Sequence, residues 1–73
     1  MKPYANRGGN SNVLSYEIGN DFVAVNFKGT SKTYVYSYLS AGSLNVDRAK
    51  QLAEAGSGLN SYIMLNMKND FER

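Results

Sequence analysis

Apolar and polar residues alternate in three short runs through the first half of the chain, and the period then changes. Residues 12–18 place Leu14, Tyr16 and Ile18 on one face and Val13, Ser15 and Glu17 on the other, the pattern of a half-buried strand. Gly19-Asn20-Asp21 has turn composition, since glycine accepts positive φ and Asn and Asp bond their own backbone. Residues 22–27 return with Val23, Val25 and Phe27 on the inner face, and Lys28-Gly29-Thr30-Ser31 makes a second turn. Residues 32–38 carry Tyr34, Tyr36 and Tyr38 on alternate positions, which puts all three rings on one face of a third strand. Turns this short predict an antiparallel meander.

From Asn45 onward the spacing is helical. Asn45 is a candidate N-cap, Asp47 complements the positive end of the helix dipole, and Val46, Ala49, Leu52 and Ala53 form an apolar stripe. Gly56 stands where a left-handed C-cap belongs. Ser57 is a candidate cap for a second helix, whose buried face is Leu59, Tyr62, Ile63 and Met67. Met64 and Leu65 lie off that stripe. They are expected to pack under the sheet edge, the alternative being an exposed contact surface. The predicted architecture is α+β: a three-stranded antiparallel meander with two short C-terminal helices packed on one face.

The ends read differently. Residues 1–11 hold a proline, two glycines and two asparagines, a composition that predicts a flexible N-terminal arm in which Tyr4 and Arg7 are the large side chains suited to recognition. Residues 12–69 are the domain, and 70–73 are a frayed polar end whose Phe71 is expected to tuck back.

Size and composition narrow the function. A chain of 73 residues is one domain, and at that length folding buries only about 60% of the surface the unfolded chain exposes. Cysteine and histidine are both absent, which removes disulfides, thiolate metal sites, the commonest general base and the commonest metal ligand together. Eight basic and six acidic residues give a net charge of +2, with the cations scattered rather than clustered. No apolar run approaches the ~20 residues of a membrane span, and Lys2 is not followed by the apolar core of a secretory signal. The expectation is a cytoplasmic protein.

Catalytic constellations are missing. No histidine stands by to activate any serine, and Glu17, Asp21, Asp47, Glu54, Asp70 and Glu72 are spread over different elements. Gly56-Ser57-Gly58 is followed by no Lys-Ser/Thr pair, so it reads as helix punctuation rather than a phosphate loop. The reading is a non-enzyme with no cofactor and no metal. The tyrosine strand is expected to face the helices with its hydroxyls at the rim. Stacking of single-stranded bases would need that face bare.

Tyr34-Val35-Tyr36 at the end of a sheet, followed by a helix, a glycine and Gly58-Leu59-Asn60-Ser61-Tyr62-Ile63, resembles the KTSC domain family. That is a small module found alone in bacterial and phage proteins and appended to some lysyl-tRNA synthetases. The likeness spans roughly three quarters of the chain, from Asn12 to Asn66. Many members continue with basic residues after the isoleucine. Met64-Leu65-Asn66-Met67 stands there instead, a departure that weakens a nucleic-acid role.

Within that group, the length and the glycine-rich arm resemble a small RNA-polymerase-binding transcription regulator of a lytic Xanthomonas phage. The resemblance implies binding to the amino terminus of the β′ subunit of host bacterial RNA polymerase, inhibition of initiation by sigma-factor displacement, and action against termination. On that reading the partner-binding residues are Lys2, Tyr4, Arg7, Lys28 and Lys32, with Tyr4 anchored in an apolar slot and the cations facing acidic groups. The protein is expected to be a monomer that does not bind membranes. The alternative is an RNA-binding module using the basic residues and the tyrosine strand.

Overall fold

A computed structural model describes residues 1–9 and 11–72; position 10 of the expected arm and position 73 of the expected tail lie outside them. In chain order the elements are β1 (Lys2–Pro3), β2 (Val13–Ile18), β3 (Phe22–Phe27), β4 (Thr33–Ser37), α1 (Tyr38–Ala41), α2 (Ser43–Ala55) and α3 (Leu59–Asn66). The strands form one antiparallel sheet in the order β1-β2-β3-β4. The α+β meander under a helical layer is as the periodicity predicts. Among the described residues, however, the sheet has four strands rather than three, and there are three helices rather than two. No helix among them is long and apolar enough to cross a membrane.

The added strand comes from the amino-terminal segment, which is docked and not free. Lys2 and Pro3 pair with Tyr16 and Ser15. Tyr4 is 6% exposed and belongs to the core. Arg7 donates its backbone N–H to the Gly56 carbonyl at 2.8 Å and its Nε–H to the Ala55 carbonyl, also at 2.8 Å. One buried aromatic ring and two bonds to a helix end offset the ordering entropy that the segment's composition could not.

The added helix replaces the last position of the tyrosine strand. Ser37 has extended backbone, its Oγ accepts from the Ser40 N–H at 3.0 Å, and its own N–H is bonded in return by Ser40 Oγ at 3.0 Å. This reciprocal cap ends β4 and starts α1, so Tyr38 leaves the sheet. The cap of α2 also moves upstream. Gly42, at φ 89°, precedes the helix, and Asn45 lies within it, donating from Nδ2 to the Ala41 carbonyl at 3.1 Å. Gly58 rather than Ser57 occupies the N-cap of α3.

Alternation along β2 is broken by a bulge between Val13 and Ser15, which oppose Phe27 and Asn26. Leu14 is the extra residue, 54% exposed, and Val13 turns inward beside Tyr16. Ile18 is likewise exposed at the strand end. The faces assigned to Val13 and Leu14 by strict alternation are therefore corrected, while Ile18 keeps the face of Tyr16, opposite Val23.

The remaining core follows the pattern. Val23, Val25, Phe27 and Tyr36 from the sheet meet Val46, Ala49, Ala53, Leu59, Ile63 and Met67 from the helical side, with Leu52, Tyr62 and Tyr34 partly buried at the margin. Gly56, at φ 77°, closes α2 by donating to the Leu52 and Ala53 carbonyls. Met64 and Leu65 are exposed rather than packed, because Leu59, Ile63 and Met67 already fill the inward side of α3.

The tail is held as well. The Glu72 N–H donates to the Val35 carbonyl on the outer edge of β4, and Ser37 Oγ donates to the Glu72 carboxylate. Phe71 packs edge-on against Tyr34, with centroids 4.8 Å apart, and more distantly against Tyr36. A frayed end over 70–72 is corrected accordingly: an aromatic ring and a strand-edge bond anchor it.

Candidate functional site

The five residues expected to meet a partner do not form one site. Tyr4 is a core residue whose hydroxyl accepts a hydrogen bond from the Leu59 N–H at 3.3 Å. Arg7 clamps the end of α2. Both serve the fold, and neither is available as an anchor without undoing it. Lys2 is exposed on β1, at one edge of the sheet. Lys28 and Lys32 lie at the β3–β4 turn, on the opposite side of the strand order.

The structure instead brings Lys28 and Lys32 together with residues that the sequence did not place beside them. A cleft of about 490 Å³ opens between the β3–β4 turn, the C-terminal part of α3 and the tail. Phe27, Tyr34, Met64 and Phe71 line it, with Lys28 and Lys68 at its polar margin. The rings form an edge-to-face series, Phe27 to Tyr34 at 5.4 Å and Tyr34 to Phe71 at 4.8 Å. Lys32 Nζ sits 5.0 Å from the Tyr34 centroid and 5.1 Å from that of Phe71, a cation–π arrangement on the same wall. Phe71 and Lys68 join a site only through the tail's return, which no local periodicity signals. The isolated aromatic in a polar end was the available sign.

Tyr36 also borders this cleft. Burial, with smaller contributions from Tyr34 and Asp70, pushes its hydroxyl up to about 12 from 10.0. A neutral phenol therefore persists there well into the alkaline range.

Tyr38 is fixed elsewhere. Its hydroxyl donates to Asp47 Oδ1 at 2.5 Å, which raises its pKa because the bond favours the protonated form. Lys50 Nζ lies 3.8 Å from the same carboxylate, donates to the Asn20 carbonyl at 2.9 Å and stands 5.1 Å over the Tyr38 ring. The cluster ties α1 and α2 to the β2–β3 turn, and each member has a partner within it. It is a brace.

A smaller cleft of about 250 Å³ lies where the amino-terminal segment crosses the α2–α3 corner, lined by Tyr4, Asn6, Gly56, Gly58, Asn60 and Ser61 among others. Among the described residues there is no cluster of three or more acidic groups able to hold a metal.

The helical side carries a different feature. Leu39 on α1, Leu44 on α2 and Leu65 on α3 are 94%, 87% and 83% exposed. The core is complete without them.

Comparison with known proteins finds no matching domain family, no matching curated protein and no matching solved structure.

Proposed function

We propose that this chain is a KTSC-like transcription regulator of phage type that works in the host cytoplasm by binding bacterial RNA polymerase at the amino terminus of the β′ subunit. It inhibits initiation by displacing the sigma factor, acts against termination, and performs no catalysis. The resemblance of Tyr34-Val35-Tyr36 and Gly58-Leu59-Asn60-Ser61-Tyr62-Ile63 to the family supports the reading. The observation that carries it is the exposure of Leu39, Leu44 and Leu65, one from each helix, on a domain whose core does not need them.

Leucines held out on short helices suit the desolvated centre of a protein interface better than a phosphate backbone. Lys2, Lys28 and Lys32, all exposed, add steering toward acidic patches from outside that centre. The action is linkage: a ligand that binds polymerase more tightly without sigma than with it must lower sigma affinity by the same factor.

The alternative, RNA binding on the tyrosine strand, has less support. Tyr36 is 1% exposed and Tyr38 belongs to α1, so the strand offers no row of open rings.

The test is retention of purified polymerase, core and holoenzyme, on immobilised protein at low and high salt. Core enzyme held through the high-salt wash, with sigma released from the holoenzyme, is the expected result. Polymerase absent and RNA captured in a steeply salt-dependent way would replace this reading with the alternative.

A further inference from the structure

The cleft beside the β3–β4 turn is unexplained by the polymerase reading and does not depend on it. Its chemistry is specific: an apolar floor of aromatic rings at one end of the sheet, and lysines from two separate segments around it. Lys28 comes from the turn, Lys68 follows α3, and Lys32 leads into β4. Among the described residues none of the three is in an ion pair. Asp70 and Glu72 are the acidic groups of the adjoining tail, and the Glu72 carboxylate accepts from Ser37 Oγ, so the three lysines outnumber them.

We propose that this cleft binds a nucleotide, its base against the Tyr34 and Phe71 rings and its phosphate against Lys28 and Lys68. The volume of about 490 Å³ falls inside the range of small-ligand sites, roughly 300–1,000 Å³. The rings are already set by mutual edge-to-face packing, which lowers the entropy lost when a planar ligand docks. The side-chain amides of Asn12 and Asn60 supply donors and acceptors at the walls, the equipment needed to meet a base edge.

An acidic peptide would match the charge but lacks a docking rail. The nearby outer edge of β4 is taken by the Glu72 N–H bond to Val35, so an incoming strand finds that carbonyl occupied. A nucleotide needs no strand edge. The site also differs from base stacking across the sheet face, because the ligand enters at the end of the sheet and leaves the helices in place.

Backbone amide NMR on the full chain tests the proposal, with 5′-AMP, 5′-UMP, adenosine, inorganic phosphate, a short single-stranded RNA and an acidic peptide as separate probes. Both nucleotides should shift Lys28, Gly29, Tyr34 and Phe71 in saturable fashion, while adenosine and phosphate each bind more weakly. Lys28→Ala with Lys68→Ala should weaken nucleotide binding by about tenfold or more, as loss of charged contacts requires, and Lys2→Ala should leave it unchanged. RNA binding tighter than the mononucleotides at the same residues identifies a strand end as the source, and mononucleotides alone a free ligand. No saturable shift, shifts elsewhere, phosphate matching the nucleotides, or the peptide outbinding them would overturn it. Because no polymerase enters the measurement, its failure and that of the regulator reading are separately visible.

Discussion

The hydroxyl of Tyr4 accepts the Leu59 N–H at 3.3 Å, joining positions 55 apart in the chain. Leu59 opens α3, and the residue before it, Gly58, has no side chain to cap the helix. The amino-terminal segment therefore supplies from a distance the acceptor that a local Ser or Asp usually provides. Arg7 does the complementary work at the end of α2, donating to the Ala55 and Gly56 carbonyls. The two together staple the corner between the helices.

The first prediction is that this segment is part of the folding unit. Tyr4→Phe should cost about 1 kcal/mol, the net value of one hydrogen bond, and Tyr4→Ala about 3–5 kcal/mol through the cavity it leaves. Urea unfolding followed by circular dichroism reads both. Removing residues 1–9 should destabilise at least as much as Tyr4→Ala. A truncated chain of undiminished stability would mean the docking contributes nothing.

Gly56 gives the second. Its φ of 77° is strained for any L side chain, and a Cβ there would stand 2.5 Å from the Ala5 Cβ. Gly56→Ala must therefore pay the left-handed backbone penalty of about 1–2 kcal/mol and also push the amino-terminal segment away. Gly29 has a similar φ of 85° with nothing near its missing Cβ. Gly29→Ala should lose only the backbone component, so the difference between the two midpoints in urea measures the contact with Ala5.

These positions show what the sequence makes legible. Val23, Val25 and Phe27, and the stripes on α2 and α3, are each fixed by local period, and each lies where that period puts it. Gly56 marks its helix end for the same local reason. Departures arise where a distant segment decides. Tyr4 is buried because the α2–α3 corner needs it, and Phe71 because β4 has an open edge. Leu14 is exposed because a bulge adds one residue opposite Asn26 and Phe27, which flips the faces upstream. Consecutive apolar residues at Val13 and Leu14 leave both registers open. The aromatic cleft shares this origin, since its walls come from β3, β4, α3 and the tail.

The third prediction concerns pH. Tyr36 is raised from 10.0 to about 12 in the folded chain, so the folded state keeps its proton at a pH where the unfolded state has lost it. Its contribution is complete below pH 10.0 and is lost as pH rises toward about 12. Tyr38, raised by its bond to Asp47, acts in the same direction. Stability should fall through that window, and Tyr36→Phe should make the fall shallower, as measured by denaturant unfolding at stepped pH. A slope unchanged by Tyr36→Phe would assign the loss to other groups.

The last prediction separates interface from fold. Leu39, Leu44 and Leu65 are exposed on three helices, and none belongs to the core. Substituting each by Ser should change stability by no more than about 0.5 kcal/mol, as is usual for surface positions without special roles. If these leucines form the centre of the polymerase contact, at least one should weaken retention of core enzyme by tenfold or more, the signature of a buried apolar anchor costing about 1.4 kcal/mol or above. Lys28→Glu should instead act mainly on the association rate and grow milder as salt rises, because an exposed charge steers the encounter. Measuring association and dissociation rates for the four variants at two salt concentrations distinguishes the roles. Leucine variants that all bind like the parent would remove the helical face from the interface and leave the cations to account for binding.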